Sequence, residues 1–177
     1  EREQLLKRKY GTVILDEAHR ARRRGGLGNR GQEPNNLLDF MLKIGGRTRH
    51  LLLGTATPIQ TEVYELWDLL RILNSGADFV LGQELWGSRW TDHERALPLI
   101  KGEETPTDER EAWEWLKNPL PPSTEHALFH FLRAQLGIPD DRFYADKGFG
   151  ELGYLEQQRL SEALDRSFFP QQNPVVR

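Results

Sequence analysis

The chain contains no cysteine. That excludes a disulfide framework and any metal site built on thiolates. It also lacks long apolar runs, and nothing in it approaches the ~20 consecutive apolar residues of a bilayer-spanning helix. Residues 1–9 (EREQLLKRK) have no apolar core of the kind that makes a secretion signal. A cytoplasmic address and no membrane partner are the expectations. There is one methionine, and Gly and Pro together are too sparse for a low-complexity or collagen-like chain.

What remains is enough for a globular domain, or for a lobe carrying an insertion: 177 residues, 37% hydrophobic and 29% charged. The formal net charge of -3 hides an asymmetry. Residues 1–60 hold 12 Lys and Arg against 6 Asp and Glu, while the other 12 basic and 21 acidic residues fall in 61–177. The two parts should face different partners, because a local positive field attracts phosphates whatever the total charge.

Residues 1–9 read as a frayed helix. The short β-branched run Thr12-Val13-Ile14-Leu15 reads as a buried strand, apolar on both faces and therefore suited to a parallel sheet covered by helices. It runs into Asp16-Glu17-Ala18-His19. Five arginines (20, 22, 23, 24 and 30) among four glycines then make a basic loop. Leu37, Leu38, Met41, Leu42 and Ile44 recur at helical spacing, with Gly45-Gly46 as the stop, and Leu51-Leu52-Leu53 forms a second strand ending at Gly54. Val63, Leu66, Trp67, Leu70 and Leu73 give the stripe of another helix, with Thr57 in a capping-box pattern ending at Gln60 and Thr61 as the alternative cap. Further helices are expected near 78–86, 107–117, 123–136 and 151–167, with no strand among them.

An apolar strand that delivers Asp and then Glu at its carboxyl end suits a nucleotide-hydrolysing site, since ligands of open parallel sheets gather at the strand tips. Asp16 would hold Mg²⁺ through water, and Glu17 would orient and deprotonate the attacking water. The bland alternative is a pair of acids at a helix start, where the dipole favours them. The pairing of D-E-A-H with a second strand that ends in G-T-A-T-P, about 35 residues on, outweighs that alternative.

Three stretches carry a resemblance: V-I-L-D-E-A-H-R at 13–20, L-L-L-G-T-A-T-P-I-Q at 51–60 and E-L-W-D-L-L at 65–70. The sequence resembles the DEAH-box ATPases of helicase superfamily two, and within them the Swi/Snf-type DNA translocases and the related bacterial ATPase that recycles RNA polymerase. The usual Swi/Snf form has G-T-P where this chain has G-T-A-T-P, which is closer to the bacterial branch. The resemblance implies an α/β fold, a partial RecA-like lobe of parallel strands over about residues 1–86, with 87–177 a mostly helical insertion and crossover. It implies ATP as substrate, Mg²⁺ as cofactor and a nucleic acid, duplex DNA, as track. Carried over by position, Asp16, Glu17 and His19 would meet the nucleotide, and Gly54, Thr55, Thr57 and Gln60 would couple its state to movement.

No G-x-x-x-x-G-K-[ST] occurs in these 177 residues. The family's architecture places that loop before residue 1 and the second lobe after residue 177, so this segment alone is expected to be inactive. A non-hydrolysing protein- or nucleic-acid-binding module that keeps the lobe's shape is the competing reading. Trp86, Trp90, Trp113 and Trp115 in the acidic insertion could serve a protein partner, but filling a small helical core is the preferred expectation. Gly148, Gly150 and Gly153 match G-x-G-x-x-G without the strand such a fingerprint requires, so a loop into a helix is expected. His126 and His130 stand four apart, but Ala127 replaces the glutamate of a zinc protease motif. The Arg/Gly loop is read equally as a sequence-blind phosphate contact or as a solvated stretch.

Overall fold

A computed structural model describes residues 2–23, 33–58, 63–125 and 127–167. The chain is a helix-rich α/β protein with a small parallel sheet, and it divides into two compact units, Glu1–Val80 and Leu81–Arg177. The division falls six residues before the boundary read from the sequence.

In the first unit, α1 (Arg2–Leu6) leads into β1 (Tyr10–Leu15), then α2 (Asn36–Gly45), β2 (Thr48–Leu53) and α3 (Tyr64–Asn74). The strands pair in parallel, with Tyr10 opposite Thr48 and Leu15 opposite Leu53. A parallel pair needs a crossover, and α2 supplies it. Asn35 starts α2 by accepting from the Leu38 amide at 2.8 Å, while its own amide group donates to the Arg20 carbonyl at 2.6 Å. Leu38, Met41 and Ile44 of α2 pack with Leu69 and Ile72 of α3 and with Ala18 and Ala21, and Val13, Leu15, Leu51 and Leu53 pack against this core.

Coverage on both sheet faces, expected from the unbroken apolar runs, holds for one face among the described residues. Ile14 and Leu52 sit opposite each other in the register and are 70% and 55% exposed. Side chains alternate along a strand, so the face opposite the α2 core carries these two outward.

The inward face of α3 also differs from the stripe read in sequence. Glu65, Trp67, Asp68, Leu69 and Ile72 are buried, whereas Val63, Leu66, Leu70 and Leu73 are half-buried. Two arginines contact the acids on this face. Arg23 donates from its backbone amide at 3.1 Å and from Nε at 3.2 Å to Asp68, and Arg22 lies 3.7 Å from Glu65. Ordered pairing at these two positions replaces the basic loop expected there. The helix begins at Tyr64 after Val63, so Thr57 does not cap it; Gln60 and Thr61 lie outside the described residues. Gly45 and Gly76 let the ends of α2 and α3 approach, for a Cβ at Gly76 would lie 2.6 Å from the Gly45 carbonyl oxygen.

The second unit is helical: α4 (His93–Ile100), α5 (Glu109–Leu116), α6 (Ala127–Leu136) and α7 (Tyr154–Ser167). The helix expected near 78–86 is replaced by turns and one 3-10 turn, Glu84–Trp86, which Asn118 ties down by donating to the Gln83 and Trp86 carbonyls. α4, which carries Pro98 inside it, is an additional helix beyond those expected from the sequence. Asp108 caps α5, accepting from the Glu111 amide at 2.8 Å.

Trp113, Leu116, Leu120, Phe129, Leu132, Leu152 and Leu160 form the second core. The tryptophans largely serve that core. Trp113 and Trp115 are buried, and Trp113 Nε1 donates to the Lys147 carbonyl at 3.0 Å. Trp90 packs edge-on against Trp115, while Trp86 stays 42% exposed and stacks on Tyr144. Residues 148–153 lead into α7 through a 3-10 turn, Phe149–Glu151: the Gly148 and Gly153 amides donate to the Glu151 and Glu156 carboxylates, each at 2.8 Å. Among the described residues no helix is long and apolar enough to cross a membrane.

Candidate functional site

The carboxyl tips of β1 and β2 lie side by side because the register pairs Leu15 with Leu53, and the pairing continues past the strands. The Gly54 amide donates to the Leu15 carbonyl, and the Ala18 amide donates to the Gly54 carbonyl, both at 2.9 Å. This second bond turns the chain after β1 across the tip of β2. Ala18, fully buried, anchors the turn in the core. Asp16 and Glu17 are left on the exposed side.

Glu17 adopts φ 52° and ψ 46°, the left-handed region, and among the described residues it is the non-glycine residue with positive φ. A residue other than Gly, Asn or Asp costs energy there, roughly 1–2 kcal/mol. Backbone strain of this sort is held by its surroundings: the Glu17 amide donates to Asp16 Oδ1 at 2.9 Å, and the Arg20 amide donates back to the Glu17 carbonyl at 3.0 Å.

His19 joins the two tips. Its Nδ1 lies 3.0 Å from Thr55 Oγ1 and 3.2 Å from Glu17 Oε2. A carboxylate can only accept, so a hydrogen on Nδ1 serves Glu17, and the Thr55 hydroxyl shares it as a second acceptor. Thr55 Oγ1 also accepts from the Thr57 amide at 3.2 Å. Glu17, His19, Thr55 and Thr57 thus form one continuous chain of contacts from the first tip to the second.

Gly54 fits beneath Asp16, since a Cβ there would come 3.6 Å from Asp16 Oδ1, an ordinary contact that leaves the tip open. The residues read from the sequence therefore converge, apart from Gln60, which lies outside the described residues. Asp16 meets the requirement for a hydrated Mg²⁺: it is exposed, one oxygen accepts from the neighbouring amide, and among the described residues the other has no partner. Mg²⁺ keeps most of its water and takes one or two carboxylates, so a single Asp is a sufficient protein donor. Among the described residues no group of three or more His, Asp or Glu side chains could hold a metal ion.

The sequence did not reveal the strained conformation of Glu17 or its contact with His19. His130 is exposed on α6, and His126 lies outside the described residues. The glycine-rich part of the basic loop, residues 24–32, lies outside them too. Compared with protein-family models, curated proteins and solved structures, the chain matches none.

Proposed function

We propose that this chain supplies the water-activating and coupling part of the ATP site of a nucleic-acid-dependent ATPase, a DEAH-box translocase of the Swi/Snf type built on a RecA-like lobe. The single observation that carries the reading is the contact between the two strand tips. D-E-A-H and G-T-A-T lie about 35 residues apart in sequence, yet His19 Nδ1 is 3.0 Å from Thr55 Oγ1. A nucleotide sensor must be mechanically joined to the element it informs, and this hydrogen bond is such a joint.

Bound Mg²⁺ would offset charge on the β- and γ-phosphates. Asp16 would anchor the ion's water shell with its unpartnered oxygen. Glu17 would accept a proton from water as that water's oxygen bonds to the γ-phosphorus and the bond to ADP breaks. In the structure the Glu17 carboxylate rests on His19, so taking up the attacking water requires it to loosen that contact. Loosening it frees Nδ1 for Thr55 alone, and in this way occupancy of the site would reach Thr57. The grip on the phosphates must come from outside these 177 residues, which hold no phosphate-loop motif.

The test is ATP hydrolysis by the parent protein with and without duplex DNA, comparing wild type with Glu17→Gln. DNA-stimulated turnover that the substitution lowers by about 10²-fold or more supports the reading. Binding of ATP and DNA without turnover would instead make the chain a non-hydrolysing binding module.

A further inference from the structure

His19 sits on a turn that is held at both ends by one later stretch of chain. The turn, Ala18–Arg20, closes with the Ala21 amide donating to the Ala18 carbonyl at 2.9 Å. Ahead of His19 the Ala18 amide reaches the Gly54 carbonyl, and behind it Arg23 reaches Asp68 of α3. In sequence Gly54 and Asp68 lie on either side of Thr55, whose hydroxyl meets the His19 ring.

Other contacts of the turn do different work. Asn35, at the start of α2, donates from Nδ2 to the Arg20 carbonyl at 2.6 Å and from its backbone amide to the Arg22 carbonyl at 3.0 Å. Those bonds tie the turn to α2 and use carbonyls, which leaves the Arg23 amide to Asp68. Arg22 lies 3.7 Å from Glu65, but its side chain is 46% exposed, so water screens that contact and it sets little geometry.

Asp68 is 2% exposed and uses one carboxylate oxygen for the Arg23 amide at 3.1 Å and the other for Nε at 3.2 Å. The first of these bonds is to the main chain, so it places the backbone four residues after His19 whatever the Arg23 side chain does. Burial raises the Asp68 pKa, with Arg23 opposing it. As packing for α3 alone, an apolar side chain would serve as well or better. What the carboxylate adds is position.

We propose that Asp68 is a positioning residue for the candidate site: from α3 it fixes the turn that carries His19, so that Nδ1 meets Thr55. A turn anchored at Gly54 alone could swing about that end. The second anchor removes the swing and makes α3 move with the two strand tips. The placement of His19 is a property of this chain, while its effect on turnover rests on the ATPase reading.

The test is amide hydrogen exchange of the 177-residue chain, followed by NMR at Ala18 and Gly54 of the tips and at Met41 inside α2 as the reference. Asp68→Asn turns one acceptor into a donor that faces a donor. It should speed exchange at Ala18 and Gly54, relative to Met41, by about tenfold or more, the effect of losing one buried hydrogen bond. Adding Arg23→Gln restores the match, because Gln Oε1 stands as far along its side chain as Arg Nε and accepts from the new Asn amide. The double variant should return both tips to within about threefold of wild type. Ile72→Val, a change in the same core that touches no polar group, should speed all three amides alike.

Equal acceleration at all three amides in Asp68→Asn, or a double variant as fast as the single one, would make Asp68 an ordinary contributor to the fold and overturn the proposal. If circular dichroism shows Asp68→Asn to be unfolded, Arg23→Ala reads the same anchor. It keeps the amide bond, loses the side-chain bond, and should speed Ala18 and Gly54 over Met41; no selective change would again overturn the proposal. In the parent protein Asp68→Asn should lower DNA-stimulated kcat several-fold and leave the KM for ATP within about twofold, since the phosphates are gripped elsewhere. A wild-type parent without turnover would sink the ATPase reading and leave exchange to decide the positioning. Wild-type turnover that Asp68→Asn leaves unchanged, although its tips have loosened, would overturn the positioning role in the reaction.

Discussion

Arg133 offers the sharpest test of how the helical unit is held together. Its side chain is 3% exposed, and it donates from Nε to the Pro121 carbonyl at 2.7 Å, from Nη2 to Leu120 at 2.8 Å, and from Nη1 to Pro139 at 2.6 Å and Arg142 at 2.9 Å. Burial lowers its pKa, and the nearby Asp140 partly opposes that. In Arg133→Met a chain of similar length fills the space but leaves four carbonyls without a donor. Those of Pro139 and Arg142 lie on a turn where water can reach them, whereas Leu120 and Pro121 are buried. A buried acceptor that loses its partner costs about 1–3 kcal/mol, so two give roughly 2–6 kcal/mol, and the relief from burying a cation places the expectation near ~3 kcal/mol. Arg133→Lys keeps the charge but loses the planar fork and should recover about half of this. Asp140→Asn removes the 3.7 Å ion pair at a carboxylate that is 64% exposed, where water screens the charge, and should leave the unfolding midpoint close to that of wild type. Urea unfolding followed by tryptophan fluorescence suits the comparison, because four of the five tryptophans lie in this unit. If Arg133→Met proves no more destabilised than Asp140→Asn, or Arg133→Lys matches wild type, the carbonyl network is not what holds these turns.

Three further outcomes follow from the geometry. Gly76→Ala would set a Cβ 2.6 Å from the Gly45 carbonyl oxygen, a backbone atom that cannot swing aside; a loss of about 1–3 kcal/mol in thermal unfolding is expected, and an unchanged midpoint would mean that the α2 and α3 ends part freely. Burial raises the Asp68 pKa, with the attraction of Arg23 opposing it. The folded form therefore holds the proton more tightly, and the group's contribution is fully present below the ordinary value of 3.8 and is lost as pH rises through the raised one. Urea midpoints of wild type measured against Asp68→Asn should thus show an advantage that shrinks on going from pH 4 upwards; an advantage that grows would mean that Arg23 outweighs burial. Thr55→Val removes the hydroxyl beside His19 and should lower DNA stimulation of the parent's ATPase more than its basal rate. Equal loss of both, read in the same hydrolysis assay, would assign Thr55 to the chemistry rather than to coupling.

The placement of the candidate residues was legible because its signals are local. The residues that follow each strand in sequence stand at its tip, so D-E-A-H and G-T-A-T could be placed from the chain alone, and parallel pairing through a crossover helix was implied by the order strand, helix, strand. The helices with a periodic apolar face were equally legible, within a few residues at their ends.

The tertiary structure decided what depends on partners distant in sequence. Counting apolar spacing found the buried Trp67 of α3 but missed Leu69 and Ile72, and a hydrophobic pattern cannot anticipate that Asp68 and Glu65 turn inward to meet Arg23 and Arg22. The sequence likewise identified Glu17 as the acid of interest but gave no sign of its left-handed backbone or of His19 against its carboxylate; both depend on the Ala18 amide reaching Gly54, 36 residues on. The row of cations at the amino ends of the strands arises in the same way. Lys9 and Arg49 belong to separate runs of ordinary surface cations, and only the register between Tyr10 and Thr48 turns them into one positive edge.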